Sequence, residues 1–219
     1  YYSTTQNDTN ATSVSVGNNL SYQLTGLVAS TTYYISVSAS NSIGEGSKCT
    51  EINGATEAVV PGASTGLQIT VTTATTLDLS WSAPANNGGA SITGYTLYYS
   101  TTENDTNATS VSVGNNLSYQ LTDLAAGTIY YISVTATNSI GEGSKCTEIN
   151  GATTTVAPSA PTGLQIIATT STTLDLSWSA PANNGGDSIT GYTLYYSTTQ
   201  NDTNATSVSV GNNLSYQLT

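Results

Sequence analysis

The sequence is poor in charge and in the side chains that most enzymes use. Charged residues make up 7% of the 219 residues, Lys and Arg together number two against 13 Asp and Glu, and His is absent. Because the net charge is −11, the surface repels nucleic acid phosphates and anionic membranes, and we expect neither as a partner. No apolar run approaches the roughly 20 residues needed to cross a bilayer, so we expect no membrane insertion in this segment.

The lack of His leaves general acid–base work to carboxylates, and nothing in the sequence gathers them into a cleft. Asp78 and Asp175 alternate with apolar residues on a predicted strand, which places them on its solvent face. Four further carboxylates lie near the last predicted strand of a repeat: Glu45, Glu51, Glu142 and Glu148. The segment "NNGG" leads into a strand and not a helix, so it is no phosphate loop. No Cys/His set has metal-ligand spacing. We therefore expect no catalytic residue, no cofactor and no metal site; a weak calcium site in the "NDTN" loops is the alternative, because oxygen ligands are available there.

What the sequence does contain is a repeat. Tyr1-Tyr2-Ser3 recurs at Tyr98 and again at Tyr195, so the period is 98 − 1 = 97 residues. Residues 1–97 differ from residues 98–194 at 16 positions, and residues 195–219 repeat residues 1–25 without a change. The period is close to the common domain size of ~100 residues. Each repeat is therefore predicted to fold as a domain, and we expect the chain to be a window from a longer array.

Alternation of apolar and polar residues predicts β-strands throughout the repeat. In "TLDLSWS" the residues Leu77, Leu79 and Trp81 share one face. On other predicted strands the inward positions are Tyr95, Leu97, Tyr99, Leu117, Tyr119, Leu121, Tyr130, Ile132, Val134 and Ala136. Clusters such as "APANNGGAS" and "NSIGEGS" separate the strands as turns. Seven short strands at this spacing favour an all-β sandwich.

The repeat resembles a fibronectin type III domain, which has an immunoglobulin-like sandwich of seven strands. "LDLSWSAPANNGGASITGY" (77–95) is similar to that family's second-strand Trp, the following Pro and Asn-Gly-Gly loop, and the third-strand Tyr. "LAAGTIYYISVTATNSIGEGS" (124–144) resembles its sixth strand, and the spacing from Leu124 to Tyr130 fits the tyrosine corner. The loop "NSIGEGS" lacks Arg-Gly-Asp, so integrin-type adhesion is not supported.

This resemblance implies the domain limits. Residues 57–153 would form one complete domain, residues 1–56 the later strands of a preceding domain, and residues 154–219 the early strands of the next. Linkers with Pro but without a long Gly/Ser run imply short, semi-rigid connections. We therefore expect tandem sandwiches in an elongated array.

Each repeat carries three N-x-Ser/Thr sequons within the fifteen residues "NDTNATSVSVGNNLS". They give nine candidate N-glycosylation sites, at Asn7, Asn10, Asn19, Asn104, Asn107, Asn116, Asn201, Asn204 and Asn213. A composition rich in Asn, Ser and Thr produces two or three sequons per repeat by chance, so the count decides nothing. The prediction of N-linked glycans depends instead on their expected exposure, their clustering on one side of the domain, and a fold common outside cells.

The two cysteines, Cys49 and Cys146, occupy equivalent positions 97 residues apart. A complete domain owns one cysteine, so it has no partner inside that domain. Three readings are open: a semi-buried free thiol, a disulfide to another chain, and contact between neighbouring domains. Geometry decides among them, because Cα atoms more than roughly 7 Å apart cannot be bridged.

Two classes of function follow from these observations. The first is a non-catalytic structural protein: a glycosylated extracellular rod or filament in which other copies of the same chain are the partners, since a uniform lattice needs the same contacts from every domain. The second is a spacer, stalk or binding module of a cell-surface adhesin or a secreted carbohydrate-active enzyme. Both place the chain outside the cell, secreted or at the cell surface.

Overall fold

A computed structural model describes residues 1–219, and every regular element in it is a β-strand. Strands β1 to β3 cover Tyr2–Ser3, Thr32–Ile35 and Ile52–Ala55. Strands β4 to β10 cover Thr65–Thr72, Leu77–Ser82, Gly94–Ser100, Thr109–Ser112, Ser118–Leu121, Ile129–Thr137 and Ile149–Ala152. Strands β11 to β15 cover Thr162–Thr169, Leu174–Ser179, Tyr192–Tyr196, Thr206–Gly211 and Ser215–Leu218. None of the elements is a helix with the length and apolar character of a membrane span.

The middle repeat, residues 57–153, has the seven predicted strands, divided between two sheets. One sheet has the order β4-β5-β8 and the other the order β10-β9-β6-β7. Strand β6 pairs antiparallel with both β9 and β7, and the register places Leu97 opposite Val134 on one side and Val111 on the other. The alternation in the sequence thus becomes one apolar face on each sheet.

The core of the middle repeat is made by the inward-facing residues of both sheets. Trp81 on β5 meets Tyr95 on β6, with ring centroids 5.9 Å apart in an edge-to-face arrangement, so an aromatic pair joins the two layers. The predicted inward positions are confirmed at Leu77, Leu79, Leu97, Leu121, Tyr130, Ile132, Val134 and Ala136, all of which are buried.

Of the other predicted inward positions, Tyr99 and Tyr119 are half-buried, and Leu117 is placed outside. Its side chain is 46% exposed, so the expected inward orientation is wrong. Strand β8 begins at Ser118, and Leu117 lies in the bend before it. Its backbone carbonyl accepts a hydrogen bond from the Trp81 N–H at 3.0 Å, but the alternation of the strand does not extend to its side chain.

The first copy, residues 1–56, forms one sheet with the order β1-β2-β3. Tyr33 is its buried apolar residue, whereas Leu20, Val37 and Ile52 are exposed. The equivalents of β4 and β5 would lie 97 residues earlier, outside the 219 residues. The apolar face of this sheet therefore has no second layer drawn from its own copy.

The last copy, residues 154–219, forms the sheets β11-β12-β15 and β13-β14. Its core is a small cluster of Leu176, Trp178, Leu194 and Val210. The aromatic pair is repeated, with Trp178 and Tyr192 centroids 5.8 Å apart. Strand β11 is exposed along its length, and its equivalent β4 in the middle copy is also mostly exposed.

Candidate functional site

The sequon-bearing turn is shaped by one aspartate in each copy. In the middle repeat the Ser100 hydroxyl donates to Asp105 at 2.6 Å, and the Asn107 N–H donates to the same carboxylate at 2.8 Å. These two donors hold the pKa of the Asp105 carboxyl below its ordinary value. Asn104 has a left-handed backbone with φ 53°, and its N–H donates to Glu148 at 3.0 Å. The turn is therefore fixed by carboxylates and leaves the Asn side chains outside.

The structure places all nine sequon asparagines at exposed positions. Asn107 stands two residues before β7, and Asn116 stands four residues after it. The Asn116 Nδ2, the atom to which a glycan would be joined, also donates to the Val113 carbonyl at 2.8 Å. The equivalent bond occurs at Asn19, at 3.0 Å, and at Asn213, at 2.8 Å. The expected exposure agrees with the structure; whether sugars are attached stays a prediction.

The two cysteines are free thiols in different surroundings. Cys146 is buried, and its Sγ accepts a hydrogen bond from the Val134 N–H at 3.2 Å. Burial raises the pKa of the Cys146 thiol. Cys49 makes the equivalent contact with the Val37 N–H at 3.3 Å but is exposed. Cys146 is therefore a buried thiol in this chain, and both a disulfide to another chain and a contact between neighbouring domains stay predictions.

The carboxylates singled out in the sequence serve separate local contacts. Asp78 accepts from Gln120 at 2.8 Å, and Asp175 accepts from Gln217 at 2.7 Å. Glu142 accepts from the Tyr98 hydroxyl at 2.7 Å, which raises the pKa of Tyr98. The structure contains no group of three or more His, Cys, Asp or Glu side chains arranged as metal ligands.

The two lysines of the chain lie beside equivalent tyrosines of two copies. The Lys145 ammonium lies 4.0 Å from the centre of the Tyr98 ring, and the Lys48 ammonium lies 3.7 Å from that of Tyr1. A cation over an aromatic face is a favourable contact. Through these contacts the segment that carries the lysine, after the sixth strand of a repeat, packs against the third strand.

A second feature is the junction between copies, defined here as a linker, the "NNGG" loop that follows it and the turn that precedes it. At the first junction the linker residue Val59 donates its N–H to the Gly88 carbonyl at 2.8 Å. Gly88 has φ +74°, and a Cβ there would lie 2.0 Å from the Val59 carbonyl oxygen. A Cβ on Gly89 would lie 2.3 Å from Ser30 Cβ. Both glycines are required by close approach of backbone.

The second junction repeats the backbone contacts of the first, although Gly127 stands where the first junction has Ser30. Val156 donates its N–H to the Gly185 carbonyl at 2.9 Å. A Cβ on Gly185 would lie 1.9 Å from the Val156 carbonyl oxygen, and one on Gly186 would lie 2.5 Å from the Ala126 carbonyl oxygen. The same contacts therefore form wherever one copy follows another.

Asn138 connects the first junction to the sixth strand. It is buried, and its Nδ2 donates to the carbonyls of Val59 at 2.8 Å and Asn87 at 2.9 Å. Its Oδ1 accepts from the N–H groups of Ile140 and Gly141. One amide thus ties the linker to two loops.

The sequence predicts a turn at "NNGG", and that prediction assigns it no role in a junction. The sequence does carry an indication of this role, because two asparagines followed by two adjacent glycines occur before β6 and again before β13. The loop's partner lies about 30 residues earlier in the chain, and no local pattern reveals that contact.

The middle repeat combines two sheets of three and four strands, the Trp–Tyr pair, and a tyrosine hydroxyl that accepts the Ala125 N–H at 3.0 Å. These three features are typical of one family. The family model of the fibronectin type III domain matches residues 62–151 and 159–219. The chain belongs to the fibronectin type III family. The tyrosine corner expected at Tyr130 is confirmed, and a second one occurs where the Tyr33 hydroxyl accepts the Val28 N–H at 2.9 Å.

The relatives of this chain include an exoglucanase and protein sidekick-2. Exoglucanase B of Cellulomonas fimi is 30% identical over 203 residues, which are 87% of this chain and 18% of that protein. Protein sidekick-2 of Mus musculus is 34% identical over 180 residues, 80% of this chain and 8% of that protein. The solved structure of chicken CNTN1 FN1-FN3 domains has 28% identity and a TM-score of 0.39, covering 58% of this chain and 44% of that chain. The chain thus spans less than a fifth of the first two relatives.

Proposed function

We propose that this chain is a non-catalytic segment of an extracellular array of fibronectin type III modules, in which junctions with the same backbone contacts make the modules the repeating unit of a glycosylated filament. The observation that carries the proposal is the repeated junction. Val59 with Gly88 and Val156 with Gly185 make the same hydrogen bond, at 2.8 and 2.9 Å. Identical units joined by identical contacts repeat one rotation and one rise, which is the condition for a helical assembly.

The chemistry of the exposed groups agrees with a structural role. Carboxylates pair with Gln, Tyr, Ser and backbone N–H groups, and none of these contacts gathers acid and base around a substrate-sized cleft. The surface is rich in Ser, Thr and Asn, and its net charge of −11 already opposes association. N-linked glycans on the exposed sequons would add to this effect, and they would require a secreted or cell-surface location.

Electron microscopy of the native material tests the filament. We expect continuous filaments whose axial repeat corresponds to a whole number of 97-residue modules. Mass spectrometry of the same material is expected to find N-linked glycan on Asn104, Asn107 or Asn116 and on their equivalents. Separate particles would overturn the filament, and bare peptides at every sequon would overturn the glycans.

The junction itself is tested by Gly88→Ala together with Gly185→Ala. Their added Cβ atoms would collide with linker carbonyls, so we expect a changed scattering profile and lost assembly. Gly114→Ala is the matched control, because Gly114 has a similar φ of +61° but no backbone atom within 4 Å of the added Cβ. If the control alters assembly equally, the junction is not what organises the array.

A second candidate function is favoured by the relatives. An exoglucanase and protein sidekick-2 contain matching modules over a small part of their length. A spacer or stalk in a secreted carbohydrate-active enzyme or a cell-surface adhesin would use the same junction to hold two other domains apart. The full-length gene distinguishes the two: many further copies favour the filament, and a catalytic or lectin domain favours the spacer.

A further inference from the structure

Strand β7 is an open edge of the four-stranded sheet. The order β10-β9-β6-β7 leaves β7 paired on one side only. Val113, just after the strand, donates its N–H to the Tyr95 carbonyl at 3.0 Å, toward β6. Because hydrogen-bonding directions alternate along an antiparallel strand, the N–H and C=O groups of Ser110 and Ser112 point away from β6. They are free to pair with another strand.

The open edge of the other sheet lies next along the chain. Strand β8 ends the order β4-β5-β8, and the connection 113–117 joins it to β7. One short connection therefore borders an unpaired edge of each sheet. The same arrangement recurs in the last copy, where β14 is an edge of β13-β14 and β15 an edge of β11-β12-β15.

These edges lack most of the devices that usually protect an exposed strand. Charged side chains, Lys above all, and Pro are the common ones, yet β7 reads Thr-Ser-Val-Ser and β14 reads Thr-Ser-Val-Ser-Val-Gly. The two Lys of the chain lie elsewhere, at Lys48 and Lys145. The short length of β7 limits each pairing, but an array presents the edge once per module, and linked weak contacts reinforce one another.

The sequons bracket this edge. Asn104 and Asn107 precede β7, and Asn116 lies in the connection to β8; all three side chains are exposed. We propose that N-linked glycans on these residues cover the open edges of β7 and β8 and prevent a second copy of the chain from pairing with them edge to edge. This inference rests on the glycosylation in the proposed function and gives the glycans their physical role.

The test compares the chain secreted from a eukaryotic host with a glycan-free form carrying Asn→Gln at all nine sequons. Sedimentation velocity at matched concentrations is expected to show a dissociation constant for self-association at least about tenfold lower without glycans, a factor equal to ~1.4 kcal/mol. The matched control carries Asn→Gln at Asn18, Asn115 and Asn212, which adjoin sequons but belong to none. It should behave as the parent.

Edge pairing is then isolated in the glycan-free background by Ser110→Pro with Ser13→Pro and Ser207→Pro. Pro removes an N–H that points outward and spares the ladder to β6, so the fold is expected to persist by circular dichroism and the association to disappear. Lys at the same three positions is the second route, because an edge charge opposes pairing without constraining φ.

Three outcomes would overturn the inference. A glycan-free chain that associates no more tightly than the glycosylated one shows that the glycans shield nothing. Association that survives both the Pro and the Lys substitutions arises from another surface. If mass spectrometry finds no sugar on the secreted chain or on native material, the glycosylation in the proposed function fails and the shield fails with it. If sugar is present and its removal changes nothing, the shield alone is wrong.

Discussion

The nineteen residues "NDTNATSVSVGNNLSYQLT" occur three times with the same letters but form strands in only two of the three places. At 104–122 they form β7 and β8, and at 201–219 they form β14 and β15. At 7–25 they form no strand, and a single bridge joins Thr12 to Tyr2. In the sheet orders β8 pairs with β5, and the first copy has no equivalent of β5 within the 219 residues. The comparison teaches that these strands are made by their partners, because an isolated strand leaves its ladder groups unpaired.

Burial follows the same contrast. In the middle copy Val134 is fully buried, and its equivalent in the first copy, Val37, is 59% exposed. Cys146 is buried and Cys49 is exposed. Identical side chains therefore differ in their surroundings because a second sheet covers one and not the other.

The largest expected effect is the loss of a core tryptophan. Trp81→Ala removes a side chain that is 5% exposed and packs on Tyr95, and truncating a buried aromatic costs ~3–5 kcal/mol. We expect the middle module to lose its cooperative unfolding transition in urea. Trp178→Ala should cost less, because its core is the small cluster of the last copy. Circular dichroism follows both variants, because the remaining tryptophan of each reports the copy that was not changed; equal losses in both would contradict the contrast between the copies.

The two thiols should differ next most clearly. Burial raises the pKa of Cys146, so less thiolate is present at any pH below that pKa, and a reagent also needs local opening to reach it. With Cys49→Ser and Cys146→Ser each leaving a single thiol, we expect Cys49 to react with a thiol reagent at pH 8 at least about a hundredfold faster. Similar rates would show that the middle core does not protect Cys146.

Removing the hydroxyl of a tyrosine corner compares the stability of the two copies through a single hydrogen bond. Tyr130→Phe removes the acceptor of the Ala125 N–H, and because this bond is only partly buried its loss should cost about 0.5–1.5 kcal/mol. Tyr33→Phe breaks the equivalent bond to Val28 but has less packing to disrupt, so a smaller loss is expected. Chemical unfolding of both variants checks the order, which would be reversed if the first copy held the more stable core.

The smallest effect concerns the turn at the junction. Ser30 has φ 52°, where its equivalent Gly127 has φ 59°, and a side chain other than Gly is strained in the left-handed region. Ser30→Gly should stabilise the first junction by about 0.5–1 kcal/mol. Gly127→Ser should destabilise the second, because its Cβ would lie 2.3 Å from the Gly186 carbonyl oxygen. Thermal melts of the two reciprocal variants measure both changes in stability, and a Gly127→Ser variant more stable than the parent would contradict this prediction.

The sequence alone determined the repeat, the all-β class and most of the inward positions, because these follow from the period and the alternation of its residues. The tyrosine corner was implied by the resemblance to the fibronectin type III family. Alternation is a local property, and Leu79, Trp81, Ile132 and Val134 lie where it predicts. The exposure of Asn104 and Asn107 followed from their place in a predicted turn.

The tertiary structure decided what depends on contact between distant segments. Leu117 turned outward because β8 starts one residue later, and Asn138 became a buried connector because a linker 79 residues earlier lies beside it. The role of Gly88 and Gly185 emerged only when the linker carbonyls were seen within 2.0 and 1.9 Å of a would-be Cβ. Which of three identical segments became strands was also settled there, since hydrogen-bond partners in a sheet come from elsewhere in the chain.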